Sequence, residues 1–155
     1  MIVPPASGGV YDHILFPTDG SDGAEAALDH AVDLAVTYDA TLHVFYVVDT
    51  DTRGMATVGN EVAEQLETEG QSVVEATTDR VDDRGIAVVG QVIRGDPHEA
   101  ILEYADANGI DLVVMATHGR RGLERYLLGS VTEKVVRSAD VPVLTVRMEE
   151  DESGA

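Results

Sequence analysis

The sequence predicts an α/β fold, a mostly parallel sheet with helices on both faces. Three observations carry the prediction. Five runs rich in Val, Ile and Leu, each four to eight residues long, alternate with amphipathic stretches in the order βαβαβαβαβ. The most apolar runs lack polar alternation, as strands buried on both faces do. The gaps between runs are long enough for helical crossovers, which parallel strands require and which are right-handed in such sheets.

The elements follow in order. His13-Ile14-Leu15-Phe16 is the first strand. Ala27, Leu28, Ala31, Leu34, Ala35 and Tyr38 then form one apolar stripe, with Asp29 and Asp33 opposite, at helical spacing. Thr41 to Val48 is the second strand, and the segment 49–60, with Gly54 and Gly59, reads as a mobile loop. Val62, Leu66, Val73, Thr77 and Val81 make a longer and less regular helical stripe. Val88 to Ile93 is the third strand. Pro97 opens a third helix that carries Ile101, Tyr104 and Ala105. Leu112 to Ala116 is the fourth strand, Val131, Val135 and Ala139 mark the last helix, and Val143 to Val146 is the final strand. Residues 1–10, with two Pro and two Gly, read as a flexible lead-in, and 149–155 as a solvated tail, so a single domain spans 11–148.

Composition narrows the function classes. At 155 residues and 44% apolar content, the chain suits one globular domain. No apolar run approaches the roughly 18 residues of a membrane-spanning helix, and the N-terminus lacks the pattern of a secretory signal. A soluble, cytoplasmic protein is expected. There is no cysteine, which excludes disulfides, thiolate catalysis and Cys-ligated metals. The 29 acidic against 10 basic residues give a net charge of −19, which argues against nucleic acid and anionic membranes as partners. Lys134 is the only lysine. Such a surface repels itself in dilute buffer, whereas at ~1 M salt the Debye length of about 3 Å screens it. A salt-rich, halophilic cytoplasm is the expected setting.

In open parallel sheets ligands bind beyond the carboxyl ends of the strands, where the winding reverses. The loop after strand one is Pro17-Thr18-Asp19-Gly20-Ser21. That after strand four is Thr117-His118-Gly119-Arg120-Arg121-Gly122, and Gly129-Ser130-Val131-Thr132 opens the last helix. Gly119, Gly122 and Gly129 permit positive φ and close approach of a ligand. Free N–H groups of Gly129, Ser130 and Val131, backed by the helix dipole, suit a phosphate. Arg120 and Arg121 add positive charge, and His118 lies within the same loop. A plainer reading exists: Ser130 and Glu133 have capping-box spacing, and Asp19 is a turn residue. The five histidines are scattered, no zinc-helix pattern is present, and neither GxxxxGK[ST] nor GxGxxG occurs.

The chain resembles the universal stress protein family. The resemblance runs over residues 11–148 and rests on three segments in order: Ile14-Leu15-Phe16-Pro17-Thr18-Asp19-Gly20-Ser21, Gly129-Ser130-Val131-Thr132-Glu133-Lys134-Val135, and Val141-Pro142-Val143-Leu144-Thr145-Val146-Arg147. Nucleotide-binding members carry G-x2-G-x9-G-[ST]. Here Ala116 stands in place of the first glycine, followed by Gly119, Gly129 and Ser130. The resemblance implies a Rossmann-like, five-stranded parallel sheet of order 3-2-1-4-5. It further implies ATP bound with Mg²⁺ or Mn²⁺ through the phosphates. Asp19 and Val47, with Pro17 and Thr18 nearby, would surround the adenosine, and Met115 and Ala116 would approach it through their backbone. Gly119, Arg120, Gly129, Ser130 and Val131 would cradle the phosphates, with His118 and Thr132 beside them. If position 116 required positive φ, Ala116 would weaken the site.

A nucleotide-binding stress-response protein acting as a conformational switch is therefore the expected function. It would form a homodimer through the edge strand Val143–Val146, as the family commonly does. No catalytic residue is legible: Ser21 and Ser130 lack a neighbouring His and Asp, and no general base is evident. Two alternatives remain at this stage. One is a nucleotide-free interaction module, the other a slow ATP hydrolase or a phosphotransferase using Ser130.

Overall fold

The computed structural model describes residues 11–49, 60–117 and 129–147. Of the segment 49–60 expected to be a mobile loop, Asp49 ends β2, Asn60 begins the next helix, and 50–59 lie outside the described residues, as do both expected flexible termini. The elements are β1 (His13–Pro17), α1 (Asp22–Tyr38), β2 (Thr41–Asp49), α2 (Asn60–Asp82), β3 (Val88–Gly95), α3 (Pro97–Ala107), β4 (Leu112–Ala116), α4 (Ser130–Ser138) and β5 (Val143–Val146). All strand pairs are parallel, and the order across the sheet is β3-β2-β1-β4-β5. The expected α/β fold and strand order are both present.

Period-two alternation divides the core between the faces of the sheet. On one face Ile14, Phe16, Leu42, Val44, Tyr46, Leu112 and Val114 pack against α1 and α2. The α1 stripe behaves as its spacing predicts: Ala27, Leu28, Ala31 and Ala35 are buried, Leu34 and Tyr38 half-buried, and Asp29 and Asp33 exposed. On the other face Leu15, Phe45, Val113 and Met115 pack against Ile101 of α3 and Val135 of α4. The two outer strands are less buried than their apolar runs suggest. In β3, Val89, Gly90 and Gln91 are exposed, and in β5 Leu144 is exposed, because an edge strand has a neighbour on one side only.

The long α2 passes close to the sheet at a glycine. A Cβ on Gly70 would stand 2.5 Å from Cδ1 of the buried Tyr46 ring. Mid-helix glycine costs about 1 kcal/mol relative to alanine, so here close packing outweighs propensity. Ion pairs from α1 to α2 and to the turn after it, Glu25–Arg80 at 3.5 Å and Asp33–Arg84 at 3.8 Å, are solvent-exposed and contribute little.

Candidate functional site

The sheet opens at its centre. β1 and β4 pair only at Ile14–Leu112 and Leu15–Val113. The β1–β2 ladder runs on to Pro17–Phe45, and the β4–β5 ladder to Ala116–Val146. The carboxyl ends of β1 and β4 therefore part at the place where the strand order reverses, which is where open α/β sheets bind ligands.

On the β1 side the chain turns tightly into α1. Thr18 donates its N–H to Phe45 O at 2.8 Å, anchoring the turn to β2. Thr18 Oγ1 accepts from Gly20 N at 3.1 Å, and Asp19 Oδ1 from Ser21 N at 2.9 Å. Gly20 has φ +79°, in the left-handed region that favours glycine. Ser21 is the N-cap of α1 and accepts from Ala24 N at 3.3 Å. Asp19 thus performs the turn duty of its plainer reading, and it lies half-buried at the mouth of the crevice. Val47 is half-buried near the carboxyl end of β2.

On the β4 side, α4 begins differently from the other helices whose starts are described. Ser21 caps α1 and Asp96 caps α3, the latter accepting from His98 N and Glu99 N. At α4 the N-cap is Gly129, with no side-chain cap. The capping-box reading is overturned. Ser130 is already the first helical residue, and Glu133 pairs with Arg137 at 3.3 Å, one turn on. A second expectation also changes. The Gly129 N–H is not free but donates to Thr117 O at 2.7 Å. The available donors are instead the N–H groups of Ser130, Val131 and Thr132, none of which has a partner among the described residues. Gly129 itself has φ −64° and ψ 158°, so positive φ is not its purpose.

Ala116 lies in β4 with extended backbone, and Asp39 is the only non-glycine with positive φ among the described residues. Position 116 therefore needs no glycine for conformational reasons. Its carbonyl accepts from Thr132 Oγ1 at 2.9 Å. Met115 is buried, with its side chain in the core beneath α3 and α4. His118, Gly119, Arg120 and Arg121 lie outside the described residues.

A profile of the universal stress protein family matches residues 10–147. This chain belongs to the universal stress protein family. One relative, a universal stress protein of Methanocaldococcus jannaschii, is 38% identical over 141 residues, covering 89% of this chain and 83% of that one. A second from the same organism has a solved structure that superposes with a TM-score of 0.83 at 32% identity, covering 92% and 100% of the two chains. A universal stress protein solved in complex with cAMP superposes with a TM-score of 0.67 at 26% identity, covering 90% and 98%.

This universal stress protein also contains a polar cluster that sequence reading missed. His13 and His43 stand 30 positions apart in the sequence, yet the parallel register of β1 and β2 sets them on one face of the sheet. His13 Nδ1 lies 3.1 Å from His43 Nε2, and His43 Nδ1 lies 2.7 Å from the Tyr104 hydroxyl of α3. Burial, and then the neighbouring His13, push the pKa of His43 below its usual value. Burial raises that of Tyr104. The cluster sits at the amino half of β1 and β2, away from the crevice. The only signal for it was the strand register itself. Among the described residues no three His, Asp or Glu side chains converge on a site for a metal ion, and no helix is long and apolar enough to cross a membrane.

Proposed function

We propose that this chain binds an adenine nucleotide, ATP first among them, across the crevice between β1 and β4. The start of α4, uncapped among the described residues, carries the reading. Three successive N–H groups, with the helix dipole behind them, favour an anionic oxygen cluster. The relative solved with cAMP supports an adenine ring and a phosphate as the two halves of the ligand. The phosphates would lie on Ser130, Val131 and Thr132 N–H, with His118, Gly119 and Arg120 supplied by the segment that follows β4. Asp19, Val47, Pro17 and Thr18, with the backbone of Met115 and Ala116, would line the adenosine side. Mg²⁺ or Mn²⁺ would be carried on the phosphates, which provide oxygen ligands of their own. The bound nucleotide then acts as a signal by favouring the conformation that holds it more tightly.

Equilibrium dialysis with ATP and Mg²⁺ in molar KCl tests this, alongside Gly129→Val. The salt screens the −19 charge. The Gly129 backbone angles are open to any residue, so the variant should fold while its branched side chain obstructs the ligand. Saturable binding by the parent and at least a tenfold weaker Kd in the variant are expected. A folded parent that binds no adenine nucleotide overturns the reading in favour of a nucleotide-free interaction module.

We further propose that two copies pair antiparallel through β5. Leu144 is exposed there, at 37%. Pro142 O accepts from Val113 N of β4 and Val146 O from Thr117 N just past it, so by alternation the Thr145 N–H points away from β4 and toward an added strand. Thr145→Pro removes that donor at an edge position that tolerates proline. Sedimentation should show a dimeric parent and a folded monomeric variant. A monomeric parent, or a variant that remains dimeric, excludes the β5 interface.

A further inference from the structure

We propose that Thr132 is a positioning residue for the anion-binding turn, acting through the carbonyl of Ala116. The inference rests on the nucleotide reading of the same site. Thr132 is the third residue of α4 and only 4% exposed. Its hydroxyl is spent on Ala116 O, at 2.9 Å, rather than turned to a ligand. A second tie runs beside it, from Gly129 N to Thr117 O at 2.7 Å. Together these two bonds fasten the first turn of α4 to Ala116, the last residue of β4, and to Thr117 just beyond it, one from each side of Ser130 and Val131. The N–H groups of Ser130 and Val131 are thereby held at a set distance from the end of β4.

Donors fixed before the ligand arrives lose less entropy on binding than donors that must be ordered by it. A threonine at this position is not explained by helix formation, since a β-branched residue is a moderate helix former. Nor does packing require the hydroxyl, because valine has the same shape. The strut also accounts for alanine at position 116. The site uses the backbone carbonyl of that residue, on extended backbone, and asks nothing of its side chain.

The strut should act on the phosphate half of the ligand alone. The affinities of the full-length parent, Thr132→Val and Thr132→Ser for ATP and for adenosine are measured in molar KCl. Valine keeps the shape and loses the donor, whereas serine keeps the donor. Thr132→Val is expected to weaken ATP about tenfold, the scale of one net hydrogen bond, and to leave adenosine unchanged. Thr132→Ser is expected to retain ATP affinity. Equal weakening of both ligands by valine would mean a merely structural role, and unchanged ATP affinity would remove the strut; either overturns the inference while leaving nucleotide binding intact. A parent that binds neither ligand overturns the nucleotide reading, and the inference falls with it. Should the valine variant not fold, Thr132→Ala takes its place under the same two readouts.

Discussion

Phe45→Ala is expected to destabilise the protein by about 3–5 kcal/mol, the usual cost of emptying a buried aromatic site. Phe45 lies on β2, which has a strand on each side, and it is fully buried. Its ring centroid is 4.5 Å from that of Tyr104, so its loss leaves a cavity bounded by α3. Backbone hydrogen bonds hold β2 to both neighbours, and the sheet cannot collapse into the space without breaking them. Domains of this size have total stabilities of about 5–15 kcal/mol, so the variant would retain only a narrow margin. Urea unfolding in molar salt reads the difference, and Phe45→Leu should cost clearly less. A Phe45→Ala loss below about 1 kcal/mol would mean that the face formed by β2 and α3 repacks freely. Because Phe45 O also holds the Thr18 N–H, the same variant should weaken the turn at the mouth of the crevice only if the backbone of β2 moves.

Acidification is expected to loosen the His13–His43–Tyr104 cluster. Burial and the adjacent His13 hold His43 below its usual pKa of 6.5. The unfolded chain therefore takes up a proton at about pH 6.5 that the folded chain refuses until lower pH. Stability is unaffected above that value and falls as pH drops from 6.5 toward the folded pKa. The geometry gives the reason. A neutral His43 donates to one neighbour and accepts from the other, and both bonds are satisfied. Protonating His43 removes its one acceptor nitrogen and places a charge on a buried face of the sheet. Overall acidification has the opposite effect on the surface, where protonating carboxylates relieves the −19 charge. The measurement is therefore a difference: thermal midpoints of the parent and His43→Gln between pH 8 and 5. The gap between them should shift in the variant's favour below pH 6.5, and a gap independent of pH would show that His43 titrates normally in the folded chain.

Much of the fold was legible because it is written in local periods. The apolar stripe from Ala27 to Ala35 marked α1 and its buried face, and the runs at Thr41–Val48 and Leu112–Ala116 marked inner strands. Their lengths left room for helical crossovers, and so for a parallel sheet. The two loops at the switch point were found the same way, since a parallel sheet admits few places for a ligand. The edges of the site were less legible. Ser130 and Glu133 have the spacing of a capping box, yet Gly129 is the cap. Spacing shows which residues are able to cap a helix, and the path of the chain into the helix decides which one does.

By itself, then, the sequence determined the order of elements, the buried faces of α1 and of the inner strands, and the absence of thiol chemistry. It also singled out the start of α4 as the candidate turn for a ligand. Tertiary structure alone decided which donors of that turn are left open, because Gly129 N–H and Thr132 Oγ1 are consumed by Thr117 and Ala116, residues 12 and 16 positions away. It gave Ala116 an extended backbone, so that no positive φ calls for the glycine of the family motif. It brought His13 and His43 together, and it set Gly70 against Tyr46. Each of these depends on the register and depth at which distant segments pack, and a side-chain pattern with a period of two or 3.6 residues carries no record of either.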